Sequence, residues 1–204
     1  NVTLGSPITY LRELRRVLIC SGSAAAALGD FQRALADFET ARRAIEVPTL
    51  YDWHERIRLE AGVTELWIAK ADRAIARREA ERFLATTLAT EERTWQGLAW
   101  EANARVALAS LDLDRARNCI AEALATVQRF ELPLAAWRVY ATAARVEEKS
   151  GNWQRASSYR DISRATIHQL ANSLPTQEPL RKIFLSAPAV ATILDTEVRA
   201  KNQS

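Results

Sequence analysis

The chain predicts an all-α fold, a solenoid of helix pairs, and three observations carry that prediction. Six Gly and six Pro are few for 204 residues, while Ala, Leu, Arg and Glu, which lose least on entering a helix, are plentiful. No stretch alternates β-branched and polar residues as a half-buried strand would. A short phrase also recurs: Gly29-Asp30-Phe31-Gln32-Arg33-Ala34, Leu111-Asp112-Leu113-Asp114-Arg115-Ala116 and Gly151-Asn152-Trp153-Gln154-Arg155-Ala156, with a weaker copy at Ala71-Asp72-Arg73-Ala74-Ile75-Ala76. Its Asp/Asn positions are 30, 72, 112 and 152, a period of 42, 40 and 40, and a period in this range marks stacked supersecondary units.

The phrase has a local physical meaning. A small residue closes one helix, Asp or Asn caps the next through its side-chain oxygen, and Ala lets two helices approach closely. Phe38 and Ala41 follow Ala34 by four and seven residues, and Ile120 and Ala123 follow Ala116 alike, the stripe of one buried helix face. In the second copy Ala80 and Phe83 exchange bulk between these positions, and in the fourth Arg160 and Ser163 replace the apolar pair.

Caps and breakers place the elements. Ser6-Pro7 opens the first helix, with Pro at its first position. Asp30 opens the second, which ends before Pro48, Thr49 caps the second pair, Thr90 the third, and Leu132-Pro133 introduces the fourth. The helices are expected at roughly 7–28, 30–46, 50–70, 72–89, 91–110, 112–130, 133–150 and 152–172. Beyond Ser173, Pro175, Pro179 and Pro188 divide the chain into shorter helices at about 177–186 and 188–200. Leu180, Phe184, Val190, Ile193 and Leu194 give these an apolar face, as a cap on the end of a stack requires. One repeat domain over 1–204 is expected, with repeats at about 7–47, 49–89, 90–131 and 132–172 and a cap at 175–200.

An aromatic residue, Trp100 or Tyr140, precedes the phrase alanine by 16 residues, and a small one, Ala104, Ala144 or Gly22, precedes it by 12. This pattern over roughly residues 8 to 172 resembles the tetratricopeptide repeat, in a form longer than that family's roughly 34 residues. The resemblance implies a right-handed solenoid whose first helices line a concave, partner-binding face. Longer repeats of this kind, and the final segment Leu180 to Val190, look like the C-terminal regions of large bacterial multidomain regulators of ATPase or adenylate-cyclase type. The chain holds no Met and begins at Asn1, so it is expected to be a piece of such a protein, with its other domains upstream.

Ligand-facing positions carried over from the family fall two before, one after and five after the consensus aromatic. They are Arg16, Ile19 and Ser23, then Arg58, Ala61 and Glu65, then Leu98, Glu101 and Arg105, then Arg138, Ala141 and Arg145. The candidate groove residues are thus Arg16, Arg58, Glu101, Arg105, Arg138 and Arg145. Guanidinium pairs with carboxylate in bidentate fashion, so an acidic or carboxylate-bearing segment suits this set; a solvated basic helix surface is the alternative. The Asn and Lys of the family's carboxylate clamp are not matched.

Other chemistry finds little support. No GxxxxGK[ST], GxGxxG or GxSxG occurs, so no catalytic residue and no cofactor is expected. Trp53-His54-Glu55 begins like HExxH, but Arg58 stands at the second ligand position. His168 is alone, and Asp112 with Asp114 suits a helix start better than a metal. Cys20 and Cys119 belong to no metal or redox motif and read as small buried residues in a reducing cytoplasm. Asn1-Val2-Thr3 matches a glycosylation sequon that such a compartment would not use. Six Trp at helical spacing read as core, with groove lining open to one or two. The net charge of +3, with 24 of 28 basic residues Arg, is too mild and too interspersed for a concentrated nucleic-acid patch. No apolar run reaches the roughly 18 residues of a membrane span. The expected function is therefore protein interaction or self-association; a small-ligand sensor region and, less favoured, nucleic-acid binding through Arg-rich faces are the alternatives.

Overall fold

A computed structural model describes residues 7–46, 52–175 and 179–201. Ten helices occupy them: α1 (Pro7–Ala27), α2 (Phe31–Ile45), α3 (Asp52–Ala69), α4 (Arg73–Leu88), α5 (Arg93–Ala109), α6 (Leu113–Phe130), α7 (Pro133–Lys149), α8 (Trp153–Ser173), α9 (Pro179–Ser186) and α10 (Pro188–Lys201). No strand occurs among the described residues. The expected cap residues Ser6 and Thr49 lie outside them.

The recurring phrase forms the turn inside each pair. Gly29, Ala71, Leu111 and Gly151 all adopt the left-handed conformation, with φ of 81°, 57°, 60° and 81°. The next residue caps the following helix. Asp30 Oδ1 accepts from Arg33 N at 3.1 Å, Asp72 Oδ1 from Ile75 N at 3.0 Å, and Asp112 Oδ1 from Arg115 N at 3.1 Å. Backbone N–H groups of Asp30, Asp112 and Asn152 return to the carbonyls of Ala25, Ala107 and Glu147 at 2.9, 3.0 and 2.9 Å, closing the preceding helix as a Schellman turn does. Asn152 departs from its expected role. Its side-chain amide donates to Glu147 Oε2 at 2.7 Å and makes no cap bond. Thr90 departs as well: its hydroxyl accepts from Glu92 N at 3.3 Å in a turn, and α5 starts at Arg93.

Residues divide into two compact units, 1–92 and 93–204, at the junction of the second and third expected repeats. In the first, α1 packs on α2 and α3, α2 on α3, and α3 on α4; in the second, α5 packs on α6 and α7, α6 on α7, and α7 on α8. Within each unit the first pair thus presents its first helix to the second pair's first helix. The alanine of every phrase copy is buried: Ala34, Ala76, Ala116 and Ala156 are at most 3% exposed. The irregular copies keep the same face. Ala80 and Phe83 are both buried, in the reverse order of bulk. In α8 the buried Ser163 donates its hydroxyl to the Trp137 carbonyl at 2.7 Å, and Arg160 pairs with Glu148.

Phe38, 1% exposed, is the wedge of the first core. A Cβ built on Gly22 or on Gly62 would stand 2.8 Å from its ring, so α1 and α3 clasp the ring between bare backbones. At the C-terminal end, α10 packs on α8 and α9 and buries Val190, with Ile193 and Leu194 half-buried. Not all of the expected apolar face is covered: Phe184 is half-buried, whereas Leu180 on α9 is exposed, as is Ile183.

Two outcomes follow from these turns and this wedge. Leu111 is 76% exposed, so Leu111→Gly loses little burial. It should stabilise by about 0.5–1 kcal/mol, the relief of left-handed strain less the entropy glycine adds to the unfolded chain. Gly151→Ala should cost about 1 kcal/mol by the same argument reversed. Urea midpoints of the two variants moving in the same direction would contradict the turn assignment. Gly62→Ala should cost about 1–3 kcal/mol through overpacking. In a double-mutant cycle, combining it with Phe38→Leu should give less than the sum of the two losses; strict additivity would mean that the close approach is not the constraint.

Candidate functional site

The first helices of the pairs carry an unusual load of buried polar side chains. On α5, Gln96, Glu101 and Asn103 are buried, and on α3, Glu55, Glu60 and Thr64. A buried carboxylate is costly without partners, and each has recruited some from elsewhere in the chain.

In the second unit the recruitment centres on Glu101, only 2% exposed. Its Oε1 accepts a hydrogen bond from the Thr142 hydroxyl of α7 at 2.6 Å and lies 2.8 Å from Arg105 Nε, one turn along α5. Arg138 of α7 places Nη2 3.9 Å from Glu101 Oε2, and its guanidinium carbon sits 5.9 Å from the Trp137 ring centre. Three of the expected groove residues, Glu101, Arg105 and Arg138, therefore meet across the α5–α7 contact. The fourth in this unit, Arg145, is exposed on α7 with no ion-pair or hydrogen-bond partner among the described residues. Sequence reasoning missed Thr142, the residue that ties the cluster together.

Arg16 and Arg58 belong to the first unit. Arg16 is exposed and pairs with Glu13 at 3.5 Å; Arg58 is exposed without a partner among the described residues. Of the remaining carried-over positions, Ile19 is buried in the first core, whereas Ser23 is exposed.

More consequential in that unit are residues the groove reading passed over. Arg15 is fully buried. Its Nε and Nη2 donate to the Ala44 carbonyl at 3.0 and 2.6 Å, and Nη1 to Asp52 Oδ1 at 2.6 Å, with Glu55 Oε2 at 3.7 Å. One guanidinium thus binds the negative C-terminal end of α2 and the acidic first turn of α3. Glu55, the glutamate of the HExxH-like fragment, has this structural partner. Glu79, 2% exposed, is ringed by Arg42, Arg82 and Arg78 at 2.9, 3.4 and 3.3 Å. Burial raises the pKa of Glu60 above its ordinary 4.5, against the lowering effects of a Thr86 hydrogen bond and of Arg56, Arg82 and Arg42.

The other candidates have plain surroundings. His54 and His168 are exposed. Asp112 caps α6 and Asp114 pairs with Arg117 at 3.3 Å; no group of three or more metal-ligating side chains occurs among the described residues. Cys119 is buried, and that burial raises its thiol pKa, with Arg115 opposing. Cys20 is exposed, contrary to expectation, because it lies off the face of α1 that holds Ile19 and Gly22. Trp100 and Tyr140 pack against the second core and Trp67 against the first, whereas Trp53 and Trp153 are exposed. No helix among the described residues is long and apolar enough to cross a membrane.

The Glu60 environment predicts a pH effect. The folded chain holds this proton more tightly than the unfolded one, so stability falls as pH rises above about 4.5 through the raised value. Glu60→Gln should therefore be more stable than the parent at neutral pH, and its advantage should shrink on acidification towards pH 4.5. Urea unfolding across that range checks it; an advantage that grows on acidification would contradict the burial argument.

No family model, no curated protein and no solved structure gives a match to this chain.

Proposed function

We propose that this chain is a tetratricopeptide-like interaction module of a larger bacterial regulatory protein, and that its second unit receives an acidic segment of a protein partner on the α5–α7 face. The observation that carries the reading is the set Arg105, Arg138 and Arg145 on two successive first helices, with one buried carboxylate, Glu101, among them. Arg145, exposed and without an ion-pair partner among the described residues, gives that face an uncompensated positive charge. Glu101, itself held by the Thr142 hydroxyl, lies 2.8 Å from Arg105 Nε, so little side-chain entropy is lost at Arg105 when a partner carboxylate arrives. The module acts in the cytoplasm by binding and needs neither a cofactor nor chemistry of its own.

Fluorescence anisotropy of a labelled Glu-rich peptide, beside a Gln-matched control, tests the reading. The acidic peptide should bind and weaken with salt, and Arg138→Gln and Arg145→Gln should each reduce affinity about three- to tenfold. Equal binding of the two peptides, or no effect of either substitution, would remove it.

A further inference from the structure

A second feature of α7 shares Arg145 with the α5–α7 face but does not depend on the acidic-segment reading. Ala141 and Ala144 recess the surface of α7 where α8 and α10 approach, leaving a partly enclosed cleft of about 170 Å³. Its apolar wall is Ala141, Ala144 and Ile193. The polar groups around it are mostly committed: Ser163 donates to the Trp137 carbonyl, and Arg160 pairs with Glu148. The exception is Arg145, which also lines the cleft and has no partner among the described residues.

We propose that this cleft binds a small monocarboxylate with a short or branched apolar body, the carboxylate on Arg145 and the body against Ala141, Ala144 and Ile193. Three properties of the cleft select that class. Charge comes first: Arg160 and Glu148 cancel, so the lining is positive by the one guanidinium of Arg145, whose planar fork matches a carboxylate. Glu148 in the wall disfavours a dianion. Size comes second: 170 Å³ holds roughly six waters at about 30 Å³ each, well under the roughly 300–1,000 Å³ of a drug-sized pocket. Polarity is third, because an apolar wall without a spare donor rewards a hydrocarbon body over a sugar or a polyol.

The probe is 3-methylbutanoate, titrated into the full chain and followed by amide ¹H–¹⁵N shifts, with 3-methylbutanamide as the uncharged isostere. A fragment of this size should bind with a Kd of about a millimolar and shift residues 141–148, 160–163 and 190–194. The amide and the Arg145→Gln variant should each bind at least about tenfold more weakly, the loss of a charge-assisted pair. Arg145 is exposed, so that variant keeps its fold. Ala141→Leu, checked for folding by its own spectrum, should block the acid by filling the cleft. No saturable shifts up to about 50 mM, where a millimolar ligand saturates, would overturn the assignment. So would equal binding of acid and amide, or shifts confined to other helices. An acidic peptide that fails to bind while 3-methylbutanoate binds would reject the proposed function and leave the cleft standing; the reverse result would do the opposite.

Discussion

Close approach of the two helices in each pair is the constraint on which the rest depends. Ala34, Ala76, Ala116 and Ala156 sit at the same point of four successive pairs, all buried. A methyl side chain there allows interaxial distances near the short end of the usual range, about 8 Å. Once that distance is set, the residues four and seven further on must fill what remains. Phe38 and Ala41, Ala80 and Phe83, Ile120 and Ala123 are three fillings of similar volume, as cores tolerate when total bulk is kept. The left-handed turn before each cap serves the same end. It reverses the chain within two residues, so the second helix starts already packed against the first.

Joining one pair to the next is a different problem, and here polar side chains take over. Apolar stripes can slide past one another with little loss, whereas a buried charge has few acceptable positions. Arg15 reaches from α1 to the end of α2 and the start of α3, and Glu101 reaches from α5 to Thr142 on α7. Arg42 of α2 meets Glu79 of α4. Such buried pairs add little net stability over well-packed apolar residues, because desolvation offsets the attraction. Removing one partner is far more damaging than replacing both, since the survivor is left buried and uncompensated. Within each unit these contacts join one pair to the next at defined positions along the helices.

This division of labour explains what could be read from the chain beforehand. The turn phrase is local: a left-handed residue, a cap and a small alanine within six positions, each with a physical signature, so all ten helices were legible within a few residues of their ends. Thr90 misled because a threonine hydroxyl serves a turn as readily as a cap. The polar ties were not legible. Glu101 and Thr142 are 41 residues apart and Arg15 and Asp52 are 37, and nothing near Arg15 distinguishes it from the exposed Arg12 and Arg16. The candidate groove was half legible for the same reason. Counting from the aromatic placed Arg105, Arg138 and Glu101 on facing helices, but could not show that Glu101 is buried between them.

Under the proposed function, that burial changes what the face would bind. Had Arg105, Arg138 and Arg145 all been free, they would form a diffuse cationic surface, responsive to any polyanion and quenched by salt within a Debye length of about 8 Å. With Glu101 between them, Arg105 and Arg138 share one buried carboxylate, at 2.8 Å from Arg105 Nε and 3.9 Å from Arg138 Nη2. Under the proposed function, an incoming carboxylate would have to match positions as well as charge, which a short acidic segment does more readily than a phosphate backbone. Arg145 stands one step apart, exposed and uncompensated. Under that proposal the attraction that does not depend on geometry comes from one residue of α7, while the buried Glu101 positions Arg105 beside it.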